Sequence, residues 1–162
     1  MTAFVIDVRV DEEATLELIN EGALAVLETA VTLTLQSQKI QPPAAVTILL
    51  TDDGRIQQLN RDFLGYDKPT DVLSFPAGEP LPGMEAEPLY LGDIMVAVPY
   101  AGRQAQAAGH DLLAELQLLT VHGTLHLLGF DHAEPEEKQA MWAAQTAVLD
   151  QLGLAHITPT EQ

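Results

Sequence analysis

Leu112-Leu113-Ala114-Glu115-Leu116-Gln117-Leu118-Leu119-Thr120-Val121-His122-Gly123-Thr124-Leu125-His126-Leu127-Leu128-Gly129-Phe130-Asp131-His132 combines a helix, its stop and three histidines. Asp111 is a candidate N-cap, and Leu112, Leu116 and Leu119 carry a helical repeat on to Leu127 or Leu128, where Gly129 breaks it. His122 and His126 are four residues apart near the end of that helix. At about 100° per residue they lie roughly 40° apart on one face, one turn above the other, so both imidazoles can reach one ion. A continuing helix would carry His132 about a turn and a half away, off to the side. Glycine adopts the left-handed conformation without a steric penalty, so the chain can reverse at Gly129 and return His132 to the same point. The spacing predicts one metal ion per chain held by His122, His126 and His132, with zinc the ion that imidazoles prefer over harder cations.

Three imidazoles leave a fourth zinc position for water, which marks a catalytic rather than a closed structural site. The metal lowers the pKa of that water to near neutrality, so a hydroxide nucleophile is available at pH 7. The ligand spacing resembles that of the metzincin proteases, H-E-x-x-H-x-x-G-x-x-H. Position 123 is Gly, where those proteases carry the Glu that acts as general base, and this weakens a peptidase reading. His110 and His156 have no partner at ligand spacing and are expected on the solvated surface. Asp131 is a candidate for orienting a ligand by a hydrogen bond, or for capping a turn. Asp93 interrupts an apolar run and needs a partner, a ligand histidine or, the favoured option, a backbone turn. Thr70 and Asp71 are expected to build a turn, with a substrate contact as the alternative. Ser74 lacks His and Asp partners for a nucleophile, and Met141, at helical spacing with Val148 and Leu152, reads as core.

Outward from the histidines, Phe4, Ile6, Val8 and Val10 alternate with Val5, Asp7 and Arg9, the period of a strand. Leu16, Ile19, Ala23, Val26, Ala30 and Leu33 predict a helix over 13–36, weakened at Gly22 and stopped by Pro42 and Pro43. Residues 45–50 read as a buried strand, and Asp52 or Asp53 as the cap of a helix running to about Phe63. Turn chemistry fills 65–70, a third strand 71–75, an exposed Pro- and Glu-rich loop 76–90 and a fourth strand 91–98. A helix over 99–108 ends at Gly109, and the last helix starts at Pro135 and closes at Gly153. This order predicts one α/β domain over 1–162, a mixed sheet of about four strands packed with about five helices and a metzincin-like metal site.

The 162 residues are 47% hydrophobic, enough for one core. Cysteine is absent, so disulfides are excluded and a transition-metal site must use His, Asp or Glu. No signal-peptide pattern and no stretch long enough to span a bilayer occur, which predicts a cytoplasmic protein with no membrane partner. Twenty-four acidic residues against 7 basic ones give a formal net charge of −17, which repels phosphate backbones on average.

The run His122–His132 resembles the H-G-x-L-H-L-x-G-[YF]-D-H signature of the YbeY family of bacterial endoribonucleases and rRNA maturation factors. Leu59-Asn60 followed by Asp67–Pro76 (DKPTDVLSFP), Leu91-Gly92-Asp93-Ile94, and Glu115 with the helix leading into His122 resemble further blocks of that family. The resemblance covers roughly residues 45–150. It implies a small α/β domain with His122, His126 and His132 as zinc ligands at the end of a cleft. It also implies a single-strand-specific, metal-dependent endoribonuclease acting in maturation of the 3′ end of small-subunit rRNA and in ribosome quality control. Its partners would be RNA within the small subunit and ribosomal or assembly-factor proteins. One position departs: where many members carry Arg before the Gly of this block, Leu64 precedes Gly65. Arg61, one helical turn away, is the nearest candidate for the missing cation, with Arg55 and Lys68 as others. The competing readings are a zinc hydrolase of another substrate, a peptidase included, and a non-catalytic ribosome-assembly factor whose metal is structural.

Overall fold

Aliphatic and β-branched side chains crowd the segments that become strands. The structure, a computed structural model, describes residues 4–11, 19–78, 82–83 and 88–157. Strand β1 (Phe4–Val10) runs parallel to β2 (Ala44–Thr51), and β2 runs parallel to β4 (Leu89–Ala97). Strand β3 (Val72–Pro76) pairs antiparallel with β4, giving the order β1-β2-β4-β3. Five α-helices occur among the described residues: α1 (Glu21–Ser37), α2 (Asp53–Leu59), α3 (Val98–Ala108), α4 (Leu112–Leu127) and α5 (Pro135–Gln151). A π-helical turn, Asn60–Leu64, continues α2. This is the single α/β domain with a mixed sheet that the sequence pattern implies.

Several boundaries differ from the sequence reading, each for a local reason. Helix α1 begins at Glu21 because the Asn20 side chain accepts the Ala23 N–H at 2.9 Å. Gly22 therefore sits in the first turn, where it weakens the helix little, and Leu16 lies outside the described residues. The helix ends before the two prolines. Lys39 takes a left-handed φ of 60°, and Ile40 N–H closes back on Leu35 C=O at 3.0 Å. Asp52, not Asp53, caps α2, while Asp53 accepts the Tyr100 N–H at 3.0 Å and pairs with Arg103. Strand β4 starts at Leu89, inside the expected loop, because Leu89 and Tyr90 pair with Ala44 and Ala45.

The two sheet faces have different covers. On one, Val46, Ile48, Leu50, Ile94 and Val96 pack against Leu27, Val31 and Leu35 of α1 and Leu116, Leu119 and Leu127 of α4. On the other, Ile56 of α2 packs on Leu73 and Ala97. The far side of α4 is also covered, since Ala114, Leu118, Val121 and Leu125 meet Met141, Val148 and Leu149 of α5. A helix apolar all round is a buried helix. At about 1.5–3 kcal/mol for each large aliphatic side chain buried, α4 is the element the fold can least spare.

One glycine is required by a close approach. Ala45 pairs with Tyr90 and Val46 with Gly92, so Leu91 is the extra residue of a bulge. Gly92 has φ 140°, and a Cβ there would stand 2.4 Å from Phe75 O and 2.8 Å from Leu127 Cδ2. Backbone strain and overpacking then act together, and Gly92→Ala is expected to cost about 3 kcal/mol or more. Urea denaturation reads this directly; a wild-type midpoint would mean that strand and helix do not meet this closely.

Candidate metal centre

The end of α4 builds the site. Phe130 N–H bonds Leu125 C=O and Gly129 N–H bonds His126 C=O, both at 3.0 Å, with Gly129 at φ 99°. This pair of bonds is the Schellman stop, which satisfies the last carbonyls and turns the chain back. The same reversal aims Phe130 C=O at His126 Nδ1, 2.8 Å away. From α5, Gln145 Oε1 meets His122 Nδ1 at 3.0 Å. Both oxygens can only accept, so each ring carries its proton on Nδ1 and leaves a lone pair on Nε2.

Those Nε2 atoms face each other 3.0 Å apart. Two lone pairs at that distance repel unless a cation lies between them. Zinc–nitrogen bonds of about 2.0–2.1 Å in a tetrahedral site place ligand nitrogens roughly 3.3 Å apart. His132 returns as the sequence spacing requires, its ring centroid 5.4 Å from that of His122 and 5.2 Å from that of His126. One ligand atom from each of the three residues lies within 4.8 Å of the others, so the cluster can hold a metal ion. The donor set therefore fits one ion of the imidazole-preferring kind.

Burial favours the neutral form of His122 and His126. It pushes the His122 pKa down to about 4, helped by the neighbouring His126 and His132 and opposed by the Gln145 hydrogen bond. His126 is lowered as well, by burial first, against the Phe130 carbonyl, which raises it. Gln145 is fully buried, and its Nε2 has no partner among the described residues. Leaving a buried amide nitrogen unpaired costs about 1–3 kcal/mol, and the arrangement accepts that cost to keep the amide oxygen on His122.

The triad opens into a cleft of about 520 Å³ bounded by β3, α4 and the start of α5. Gly123 does not line it. A Cβ on Gly123 would lie 2.9 Å from Ile94 Cγ2 and 3.1 Å from Ser74 Oγ. Ser74 donates to Gly123 C=O at 3.1 Å, fixing this contact and accounting for that hydroxyl. A protease-type Glu does not fit there.

Other candidates fall as follows. Asp131 lines the cleft, but its Oδ1 accepts the backbone N–H of His132 at 2.7 Å, so it caps the turn instead of orienting a ring. Asp71 lines the cleft and is buried, its oxygens accepting from Val72 N at 2.8 Å, Thr70 Oγ1 at 3.3 Å and Gln104 Nε2 at 3.0 Å. Among the described residues Asp93 bonds neither a histidine nor a turn; its partner is the Tyr90 hydroxyl, whose pKa rises through burial and this contact. Arg61 is paired with Asp62 at 3.2 Å and Asp67 at 3.9 Å and does not line the cleft, nor does half-exposed Leu64. Met141 is core, and His156 is exposed. His110 corrects the surface expectation: it lies 2.7 Å from buried Glu115, whose pKa rises through burial. The sequence gives no sign of Gln145, which lies 23 residues from His122 on another helix.

A small α/β protein with a three-histidine cluster able to hold one metal ion is the class that fold and site define. The family model described as Endoribonuclease YbeY matches residues 9–153. A protein named Endoribonuclease YbeY from Clavibacter michiganensis subsp. michiganensis is 43% identical, covering 83% of this chain and 92% of its own. One of the same name from Desulforamulus reducens is 41% identical, over 84% of this chain and 90% of its own. The solution structure of TM1509 from Thermotoga maritima superimposes with a TM-score of 0.54 at 25% identity, over 98% of this chain and all of that one. The chain belongs to the YbeY endoribonuclease family.

The depressed His122 pKa has a consequence for the metal-free protein. The unfolded chain takes up this proton near 6.5 and the folded chain only near 4. Stability is therefore fully present above pH 6.5 and is lost as pH falls through that window. Between pH of about 7 and about 4.5, urea midpoints should fall further for wild type than for His122→Asn, in which this group does not titrate. Parallel curves for the two proteins would contradict the buried, neutral imidazole.

Proposed function

We propose that residues 1–162 form one metal-dependent endoribonuclease domain that cleaves single-stranded RNA, with one zinc ion held by His122, His126 and His132. The observation that carries this reading is the pair of Nε2 lone pairs held 3.0 Å apart by Nδ1–H bonds to Gln145 and Phe130. When bound, zinc supplies a Lewis acid and brings a coordinated water to a pKa near 7. In the overall hydrolysis, water oxygen joins phosphorus, one P–O ester bond breaks, and a water proton ends on the leaving oxygen.

The chain's own residues position this chemistry. His126 and His122 are locked in tautomer and rotation by a backbone carbonyl and a buried amide. Ile94 and Ser74 leave no room at position 123 for a protease-type base, which supports phosphodiester over peptide hydrolysis. Of the two carboxylates lining the cleft, Asp71 is committed to three hydrogen bonds, so Asp131 is assigned to hold the proton released by water. We assign the substrate as small-subunit rRNA near its 3′ end and the setting as ribosome quality control, which the family membership supports. RNA already packed with basic ribosomal proteins offsets the −17 net charge that opposes free RNA binding.

Zinc-loaded wild type is expected to cut single-stranded RNA, and His126→Ala to lose at least 100-fold in kcat/KM, about 3 kcal/mol at the barrier. Equal cleavage by the two preparations would trace the activity to a contaminant and remove the proposal. Gln145→Leu should keep the fold yet weaken zinc binding about 10- to 100-fold, read by competition with a chelator. Wild-type affinity in that variant would show that the amide does not orient the ligand.

A further inference from the structure

The cleft of a polyanion hydrolase needs a cation besides its metal. Neither Leu64 nor Arg61 lines this cleft. Two carboxylates, Asp71 and Asp131, do line it. Among the described residues that line the cleft, one is Lys or Arg, and it is Lys138.

Lys138 is placed by more than proximity. It lies one turn before Trp142 on α5, and its Nζ stands 5.6 Å from the centroid of that indole. A cation over an aromatic face at this distance gains about 0.5–1 kcal/mol when exposed, enough to bias a long side chain toward one region. Trp142 in turn stands edge-to-face with His122 at 5.9 Å and His132 at 5.6 Å. One indole thus links the ammonium to two members of the triad, and both residues are half-buried in the cleft wall.

The geometry points to Lys138 as the phosphate-binding residue of the cleft, engaging an RNA phosphate beside the histidine triad, with Trp142 as its positioning residue. The assignment rests on the nuclease reading for its substrate. It places the cation of the cleft on a different element from the π-helical turn that carries Arg61 and Leu64, at the start of α5. An ammonium there shares the cleft with the carboxylates of Asp71 and Asp131. It also meets the negative charge that grows on phosphate oxygens during cleavage.

The experiment measures salt-dependent binding and cleavage by zinc-loaded protein. Binding uses a short single-stranded oligoribonucleotide with phosphorothioate linkages, which keeps the backbone charge. Each phosphate contact on a single strand contributes about −0.7 to the slope of log K against log salt. Lys138→Gln is expected to flatten the slope by about that amount and to lower kcat/KM on ordinary RNA about 10-fold. Lys138→Arg should restore the slope. Trp142→Leu should flatten it partly while zinc content stays at one per chain, and a wild-type slope in that variant would remove the positioning role. Melting temperatures show whether each variant is folded, and Lys138→Ala serves if Lys138→Gln is not. An unchanged slope and kcat/KM in the folded neutral variant overturns the assignment, as does an Arg variant as impaired as the Gln one. If wild type does not cleave RNA at all, the nuclease reading fails instead, and the phosphorothioate slope still decides whether Lys138 meets phosphate.

Discussion

Everything in the site depends on how α4 stops. The two bonds that close it, Phe130 N–H to Leu125 C=O and Gly129 N–H to His126 C=O, are ordinary helix-terminating bonds. Their consequence is specific to this sequence. They require a left-handed residue, which Gly129 supplies, and they deliver a carbonyl to His126 and a third imidazole to the first two. The return of the third imidazole, the tautomer of His126 and the mouth of the cleft follow from one reversal of the backbone. A non-glycine residue there would disturb the triad before it disturbed the core, since the turn itself is exposed.

The rest of the fold holds that stop still. Helix α4 is clamped between the sheet and α5, and the clamp is tight where glycines stand. Gly123 lets the helix settle onto Ile94 and Ser74, and Gly92 lets β4 pass beneath Phe75 O and Leu127. Packing of this density transmits strain instead of absorbing it. Gln145 uses the same rigidity from the other side. A helix anchored by Met141, Val148 and Leu149 presents a buried amide to His122 with little freedom to turn away.

What the sequence shows and what it hides divide along the range of the interactions. The triad is legible because its geometry is local: a four-residue step on a helix, a glycine and a short return. The strands and most caps are legible for the same reason. Gln145 is hidden because the bond that matters crosses to another helix, and a glutamine in a helical run carries no mark of it. Asp93 needs a partner and has one, but the partner is a tyrosine three residues back on its own strand. His110 looked solitary because its partner is a carboxylate and not another ligand. Hydrophobic periodicity runs through Asn20, whereas α1 begins where that side chain can cap it, and residues 13–18 of the expected helix lie outside the described residues.

The distribution of charge bears on how such a protein handles a polyanion. Among the described residues, Arg9 pairs with Asp7, Arg61 with Asp62 and Asp67, and Arg103 with Asp53, and the whole chain has 7 basic residues. A surface so poor in positive charge gives little general affinity for nucleic acid, and what it gives is screened quickly by salt. Affinity and selectivity are then separable. A protein with a basic groove holds any RNA and must reject most of it, whereas an acidic one holds RNA only where another component presents it. Under that arrangement the cleft needs no more than a metal and one cation at the reacting phosphate, and acidity elsewhere becomes a barrier against unintended substrates.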